Sequence, residues 1–191
     1  MPVIQKYYIV NKPYGVLSQF MDKEGRNTLS DLYKFPKDVY PVGRLDMDSE
    51  GLLIITNDKK LTDHLLNPKN QHEREYYVQV EGIPADEALQ QLREGVEIEK
   101  KKTLPAKVKR IDPPHFPPRV PPVRERKSIP DSWISLTLIE GRNRQVRKMT
   151  AKIGYPTLRL IRVRIKNILL GDLAIGSARE LSRNEVEGLT R

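Results

Sequence analysis

The segment "GRLDMDSEGLLIITND", residues 43–58, contains side chains whose types and spacing suit several kinds of chemistry. Three carboxylates alternate within it, Asp46, Asp48 and Glu50, and Gly51 follows them directly. Alternating carboxylates before a glycine can coordinate a calcium ion, and a single activated aspartate can act as a nucleophile or a base. The same residue types are also common in ordinary polar turns between strands. Spacing by itself leaves these three interpretations open.

The calcium interpretation fits only part of the segment. In an EF-hand loop, carboxylates occupy the first and third positions, glycine the sixth and a bidentate glutamate the twelfth. Asp46, Asp48 and Gly51 match the first three of these requirements, but Asn57 stands at the twelfth position. The flanking residues are typical of extended chain and of a β-branched strand instead of two helices. We therefore expect no calcium ion in this loop.

The catalytic interpretation centres on Asp46. Leu45 and Met47 flank it, and Arg44 lies two residues before it. Apolar neighbours can seat a carboxylate in a pocket, and a nearby cation keeps it ionised there against the cost of desolvation. An ionised, partly dehydrated carboxylate is a good nucleophile or base. In the turn interpretation, Arg44 simply pairs with an acid at the surface.

Composition excludes several other classes of protein. The chain has 191 residues, enough for one large or bilobed domain with a real core, and no cysteine. Disulfides, thiolate metal sites and a cysteine nucleophile are therefore excluded. The longest apolar run is Leu52–Ile55, too short to span a membrane, and no signal-peptide pattern opens the chain, so we expect a cytoplasmic protein. The histidines show no zinc-like spacing: His64, His72 and His115.

The net charge of +9 is concentrated in two blocks. Residues 140–166 contain nine Lys and Arg and one acid, and residues 99–127 contain ten Lys and Arg and three acids. The rest of the chain is acidic as a whole. Such segregation is typical of a protein that binds a polyanion, and it is unusual for a merely solvated basic face.

Periodicity and turn residues predict a chain of short strands and helices. The predicted strands are "YYIV", "GLLIIT", "REYYVQVEG", "LPAKVKRI", "SWISLTLIE" and "LRLIRVRIKNILLGDL". The predicted helices are "TLSDLYKF", "DKKLTDHLLN", "PADEALQQLREG", "RNRQVRKMTAKIG" and "SRNEVEGL". Residues 113–130 hold seven prolines and predict an irregular loop. Because no regular βαβ alternation occurs, we expect an α+β fold with a mixed, mostly antiparallel sheet.

Four segments together resemble one protein family. Residues 43–58 resemble the signature loop of the RsuA-type rRNA pseudouridine synthases. "NKPYGVL" at 11–17, "REYYV" at 74–78 and "EGRNRQVRKM" at 140–149 resemble further motifs of that family in the same order. One such motif is weak support, but four in order across most of the chain are highly specific.

The resemblance implies a pseudouridine synthase fold, with a central cleft and helices flanking the sheet. Residues 1–191 would form one catalytic domain made of two subdomains around that cleft. Many family members begin with an S4 RNA-binding domain, which we do not expect here because the motifs start at residue 11. That absence, with Arg144 where other members have histidine, indicates the subtype that modifies a uridine in the peptidyl-transferase region of 23S rRNA. The implied reaction uses no cofactor and no metal.

The resemblance also assigns the acid and its cationic neighbours. Asp46 would be the catalytic aspartate, which either attacks the sugar or base covalently or removes a sugar proton. Arg147 would be the basic residue that pairs with it, although a solvated helix arginine fits its position too. Arg44 is a rival partner, or a contact to the phosphate of the flipped nucleotide. Asp48 and Glu50 would be solvated loop residues whose even spacing is incidental.

Two further residues are assigned to the uracil ring. Tyr76 matches the active-site tyrosine of the family and would stack on the base. It shares a strand face with Val78 and Val80, so an ordinary core tyrosine is the alternative. Leu160 would line the uracil pocket, and an ordinary core leucine is the alternative there.

The remaining basic residues are expected to contact the RNA backbone. By resemblance and charge, the predicted contacts are Lys12, Arg142, Arg144 and Lys148. The proline-rich loop could clasp RNA through Arg119, Arg124 and Arg126. We expect a monomer that acts on rRNA. A non-catalytic RNA-binding factor for ribosome assembly is the alternative function, and uridine methylation is disfavoured by the missing cysteine.

Overall fold

The computed structural model describes residues 4–124 and 128–190, and it divides into two compact units. The first unit combines the residues up to Gln71 with those from Arg162 onward, and the second runs from His72 to Ile161. Both units combine antiparallel strand pairs with short helices. The expected α+β class is therefore confirmed.

The sheet of the first unit has the strand order β11-β1-β3-β9. Its main strands are β1 (Tyr7–Lys12), β3 (Glu50–Thr56), β9 (Thr157–Ile165) and β11 (Ala178–Glu180). Two short strands, β2 (Tyr40–Pro41) and β10 (Ile168–Leu169), pair with β3 and with the end of β9. The pairs of β1 with β3 and with β11 are antiparallel. Strand β9 continues into the second unit, because the boundary falls within it.

Strand β3 lies in the interior because its apolar sequence is stable only where it is buried. All seven of its residues are buried, as expected for a short, largely apolar β-branched run covered on both faces. Helix α1 (Lys59–Leu66) follows at once, and the Asp58 side chain accepts the Leu61 N–H as its N-cap. Helix α4 (Arg183–Thr190) packs against α1. Among the described residues, no helix is long and apolar enough to cross a membrane.

The second unit has the strand order β9-β4-β8-β7 and a separate two-stranded hairpin. Its own strands are β4 (Arg74–Glu81), β5 (Glu97–Ile98), β6 (Lys101–Lys102), β7 (Lys107–Ile111) and β8 (Asp131–Leu138). Its helices are α2 (Asp86–Glu94) and α3 (Gln145–Lys152). Strand β4 alternates as predicted, with Val78 and Val80 fully buried. They join one core with residues of α2, β8 and α3, including Leu89, Ile134 and Met149.

Three elements differ from the sequence prediction. "TLSDLYKF" forms only a 3-10 turn, Leu29–Asp31, at whose start the Thr28 N–H donates to the Asp31 carboxylate at 2.7 Å. Strand β11 and the β5–β6 hairpin were not predicted. Strands of two or three residues carry no measurable period, so no pattern in their sequences indicates them. The proline-rich loop is irregular as expected in its described part, and residues 125–127 lie outside the described residues.

Gly51 occupies a position where no other residue fits. Its φ is +104°, a conformation that side chains rarely adopt, and a Cβ atom would lie 2.3 Å from the backbone oxygen of Arg162. The same atom would lie 2.7 Å from the backbone nitrogen of Arg162. Backbone atoms of a central strand cannot move aside cheaply. The close approach of β3 to β9 therefore depends on glycine.

We expect Gly51→Ala to lower the free energy of unfolding by about 3 kcal/mol or more, because it adds overlap with backbone to conformational strain. Gly15→Ala is the matched control. Gly15 has φ +81°, but nothing lies within 4 Å of an added Cβ. It should lose only about 1–2 kcal/mol, from the backbone conformation alone. Urea unfolding measures both, and equal losses in the two variants would contradict the proposed overlap.

Candidate active site

Asp46 lies in a tight turn of the first unit between β2 and β3. The Ser49 N–H donates to the Asp46 carbonyl at 3.0 Å and closes the turn. The side chain of Asp46 is half-buried, Leu45 is buried, and Met47 and its apolar thioether are exposed. The turn thus presents its carboxylate from a fixed backbone. It does not enclose that carboxylate between two apolar neighbours as the sequence suggested.

Two residues of the "NKPYGVLS" segment hold the chain on both sides of Asp46. The Ser18 hydroxyl accepts the Leu45 N–H at 3.0 Å and donates to the Leu45 carbonyl at 2.7 Å. The Gly15 N–H donates to the Met47 carbonyl at 2.7 Å. Both neighbours of Asp46 are therefore hydrogen-bonded to the same segment. A catalytic group needs this kind of support from the residues around it.

The side chain of Lys12 holds that segment together from within. It is the last residue of β1, lies opposite Gly51 in the strand register, and is completely buried. Its Nζ donates to the carbonyls of Pro13 at 2.9 Å and Val16 at 2.7 Å. The prediction that Lys12 contacts RNA is therefore wrong, because a lysine with no exposed surface cannot reach a phosphate. Its amine instead fixes the turn that carries Gly15.

Burial lowers the pKa of Lys12 to about 8, because desolvation penalises the charged ammonium. Three carboxylates oppose that effect, with Glu50 the strongest, then Asp48, then Asp46, while Arg162 adds to the lowering. All three acids thus lie close enough to Lys12 to stabilise its charged form. Glu50 is itself buried, so its prediction as a solvated loop residue is wrong.

Arg162 is a second buried cation next to β3. Its Nε donates to the Leu52 carbonyl at 2.8 Å, and its backbone lies against Gly51. Neither Arg162 nor Ser18 was predicted from the sequence as part of the site. No recognisable pattern marks them: Ser18 follows the end of a motif, and Arg162 is one of several arginines in a basic strand.

The structure does not resemble an EF-hand around these acids. Strand β2 precedes the turn and β3 follows it, whereas an EF-hand loop joins two helices. Within residues 4–124 and 128–190, no group of three or more His, Cys, Asp or Glu side chains is arranged to hold a metal ion.

The site residues predicted in the second unit lie around its core. Tyr76 on β4 is partly exposed and packs against that core. Arg147 on α3 is half-buried and follows the buried Val146. Leu160 is only 6% exposed and belongs to the core itself. The core interpretation of Leu160 is therefore supported, and its contact with a uracil ring stays a prediction.

The cations near α3 make contacts within the protein. Arg142 donates to the carbonyls of Ile98 at 2.8 Å and Lys101 at 3.2 Å, and Lys148 binds the Glu99 carboxylate at 2.6 Å. Arg144 is exposed, with a left-handed backbone at φ +50°. Contact with RNA thus stays a prediction for all of these cations. In the structure, Arg142 and Lys148 hold the β5–β6 hairpin.

Arg119 in the proline-rich loop also makes local contacts. Arg119 donates to the carbonyls of Pro121 and Pro122, and Arg159 donates to the carbonyl of Pro117. These bonds tie an irregular segment to itself and to β9. The predicted RNA contact through Arg126 lies outside the described residues.

Comparison with known proteins places the chain in one family. Residues 6–152 match the family described as RNA pseudouridylate synthase. The chain is 54% identical over 177 residues to ribosomal large subunit pseudouridine synthase E of Vibrio parahaemolyticus, covering 93% of this chain and 74% of that protein. It is 52% identical over 169 residues to the protein of the same name from Xanthomonas axonopodis pv. citri, covering 87% and 88%.

A solved structure shares the fold. A crystal structure of pseudouridylate synthase superposes with a TM-score of 0.80 at 26% identity, covering 97% of this chain and 74% of that one. This chain belongs to the RNA pseudouridylate synthase family, whose members are RNA isomerases. The resemblance of its four sequence motifs to that family is confirmed, and so is the predicted fold.

The lowered pKa of Lys12 generates a prediction about stability. Between pH 8 and pH 10 the unfolded chain keeps its proton on Lys12 while the folded chain loses it, because the pKa is about 8 folded and about 10.5 unfolded. The unfolded state then binds more protons, so the contribution of Lys12 to stability rises with pH through this window. The rise amounts to about 3 kcal/mol at most.

Lys12→Met should remove this rise. We expect the difference in unfolding free energy between the natural chain and the variant to shift in favour of the natural chain from pH 8 to pH 10, measured by urea unfolding. The tyrosines act oppositely above pH 10, since burial and Asp58 raise the pKa of Tyr7 to about 12. Both proteins contain Tyr7, so its contribution to the unfolding free energy cancels in the difference between them. A difference that does not change with pH would contradict the burial of an ionisable amine.

Proposed function

We propose that this chain isomerises a uridine of 23S rRNA to pseudouridine, with Asp46 as the catalytic aspartate. The observation that carries the proposal is the support of Asp46, whose two neighbours are both bonded to the "NKPYGVLS" segment. Relatives at 52% and 54% identity bear the name ribosomal large subunit pseudouridine synthase E, which supports 23S rRNA as the substrate. The peptidyl-transferase region is the part of that RNA we propose.

The reaction rearranges one nucleotide without adding or losing atoms. The bond from C1′ to N1 of the uridine breaks, the base turns, and C5 of the base bonds to C1′. Asp46 either attacks covalently or removes a sugar proton, and both routes need an ionised carboxylate in a defined position. The target nucleotide must leave its stack to reach a side chain that is fixed in a turn.

The remaining roles belong to the same proposal. Tyr76 is proposed to stack on the uracil, which suits a ring that packs on the core on one side and stays partly exposed on the other. Arg147 is proposed as the basic residue of the site, Leu160 as part of the uracil pocket, and exposed Arg44 as a phosphate contact. We further propose one catalytic domain, acting as a monomer in the cytoplasm.

The alternative function is an RNA-binding assembly factor that has the fold without the activity. Basic surface is common to both, so it does not separate them. The supported position of Asp46 favours the enzyme, because an RNA-binding surface has no need for a carboxylate held in place.

Asp46→Asn should abolish pseudouridine formation in a 23S rRNA transcript while leaving RNA binding within about twofold, because the amide keeps the shape and loses the charge. Asp48→Asn is the matched control. It makes the same change two residues away, on a side chain that is also half-buried, and it should keep most of the activity because Glu50 remains as the larger counter-charge to Lys12. Pseudouridine is measured by carbodiimide mapping of the transcript. An active Asp46→Asn enzyme, or equal losses of activity in the two variants, would contradict the assignment of Asp46 as the catalytic aspartate.

Ser18→Ala should lower kcat more than it changes KM. It removes both hydrogen bonds to Leu45 and so loosens the turn, at a stability cost of about 1–3 kcal/mol. Ser30→Ala is a control that also removes a serine hydroxyl bonded to a backbone carbonyl, that of Phe20. The kinetics are measured on the same transcript at a temperature where both variants are folded. An unchanged kcat in Ser18→Ala would show that this clamp does not position Asp46.

A further inference from the structure

The β5–β6 hairpin joins its strands through an unusual turn. Glu99 and Lys100 both have a left-handed backbone, with φ values of +53° and +62°. Two-residue hairpin turns of this kind strongly favour Asn-Gly or Asp-Gly, because other side chains are strained there. Neither residue in this turn is Gly, Asn or Asp. Such a conformation persists only when its surroundings hold it in place.

Charged residues around α3 supply that support. Arg142 donates to the carbonyls of Ile98 and Lys101, one on each strand of the hairpin. Lys148 binds the carboxylate of Glu99 in the turn itself. Helix α3 also packs against β5. Arginine and lysine from the basic 140–149 segment therefore fix the hairpin, which is a structural task that their sequence did not suggest.

The base of the hairpin is fixed as well. The Val96 N–H donates to the Thr103 hydroxyl at 3.0 Å, and the Thr103 N–H donates to the Val96 carbonyl at 2.9 Å. The Leu104 N–H donates to Glu140 at 2.8 Å. The hairpin is thus bonded at its base, on both strands and at its turn. The hairpin itself extends only from Glu97 to Lys102.

The hairpin carries three exposed lysines beside its two acids. Lys100, Lys101 and Lys102 are consecutive and exposed. Successive strand residues point to opposite faces, so Lys101 and Lys102 carry charge on both sides of the ribbon. Of the two acids on the hairpin, Glu99 binds Lys148, and the exposed Glu97 lies opposite Lys102 in the strand register.

We propose that Lys100, Lys101 and Lys102 bind the phosphate backbone of the RNA substrate. The identity of that RNA rests on the proposed function, but the binding itself does not need catalysis. Solubility alone would be served by lysines on any mobile loop. Solubility gives no reason for a strained turn that contains Lys100, followed by Lys101 and Lys102 on β6, to be held in place by Arg142, Lys148 and helix α3.

The test compares two triple variants that remove the same charge. Lys100→Ala/Lys101→Ala/Lys102→Ala changes the hairpin, and Lys59→Ala/Lys60→Ala/Lys69→Ala changes three exposed lysines of the first unit. Binding of a labelled 23S rRNA transcript is measured by filter retention from 50 to 300 mM KCl. Thermal unfolding checks that both variants are folded.

The hairpin variant should bind roughly tenfold more weakly at 150 mM salt, and its slope of log affinity against log salt should fall by about 0.7–0.9 for each phosphate that is no longer neutralised. On the same transcript its KM should rise while kcat changes little. The first-unit variant should stay within about twofold of the natural chain. Equal behaviour of the two variants, or an unchanged salt slope in the hairpin variant, would overturn the proposal.

Failure of the proposed function would give a different result. A natural chain that forms no pseudouridine would overturn the activity, and the salt slopes of the two variants would still decide whether the hairpin binds RNA. An active natural chain with identical slopes would preserve the activity and remove the hairpin from the binding surface.

Discussion

A buried ammonium group organises the first unit. Lys12 is the second residue of the "NKPYGVLS" segment, and its side chain donates to two backbone carbonyls within that segment. The same segment forms hydrogen bonds to both neighbours of Asp46. An isolated cation in the interior would be very unfavourable, so it requires acceptors and opposite charges around it. The carbonyls of Pro13 and Val16 are the acceptors, and the alternating acids supply the opposite charges.

The three acids contribute unequally to this compensation. Glu50 is buried at the start of β3 and has the largest effect on Lys12, Asp48 is second, and Asp46 has the smallest. The residue with the least part in compensating the buried cation is thus the one whose backbone is held on both sides.

The sequence predicted the strands and helices that have a clear apolar periodicity. It did not predict which charged side chains are buried. Strand β3, helix α1 with its Asp58 cap and strand β4 follow from apolar spacing and a capping residue. Lys12 and Glu50 are charged types that are almost never fully buried unless paired, so composition placed them on the surface. Their burial depends on the register of β1 against β3, which no local pattern contains. The strained β5–β6 turn was missed for a related reason, since its residues are not turn formers.

Burial and internal hydrogen bonding change how the net charge of this protein relates to RNA binding. Lys12 and Arg162 are buried, and Arg142 and Lys148 donate to groups of the protein itself. Counterion release depends on cations that approach phosphates, and the buried Lys12 and Arg162 cannot approach one. The number of basic residues in a block therefore overestimates its contact with RNA. The informative feature is a set of exposed cations on an element that other residues hold in place. In the second unit that element is the β5–β6 hairpin, and Arg142 and Lys148 hold it.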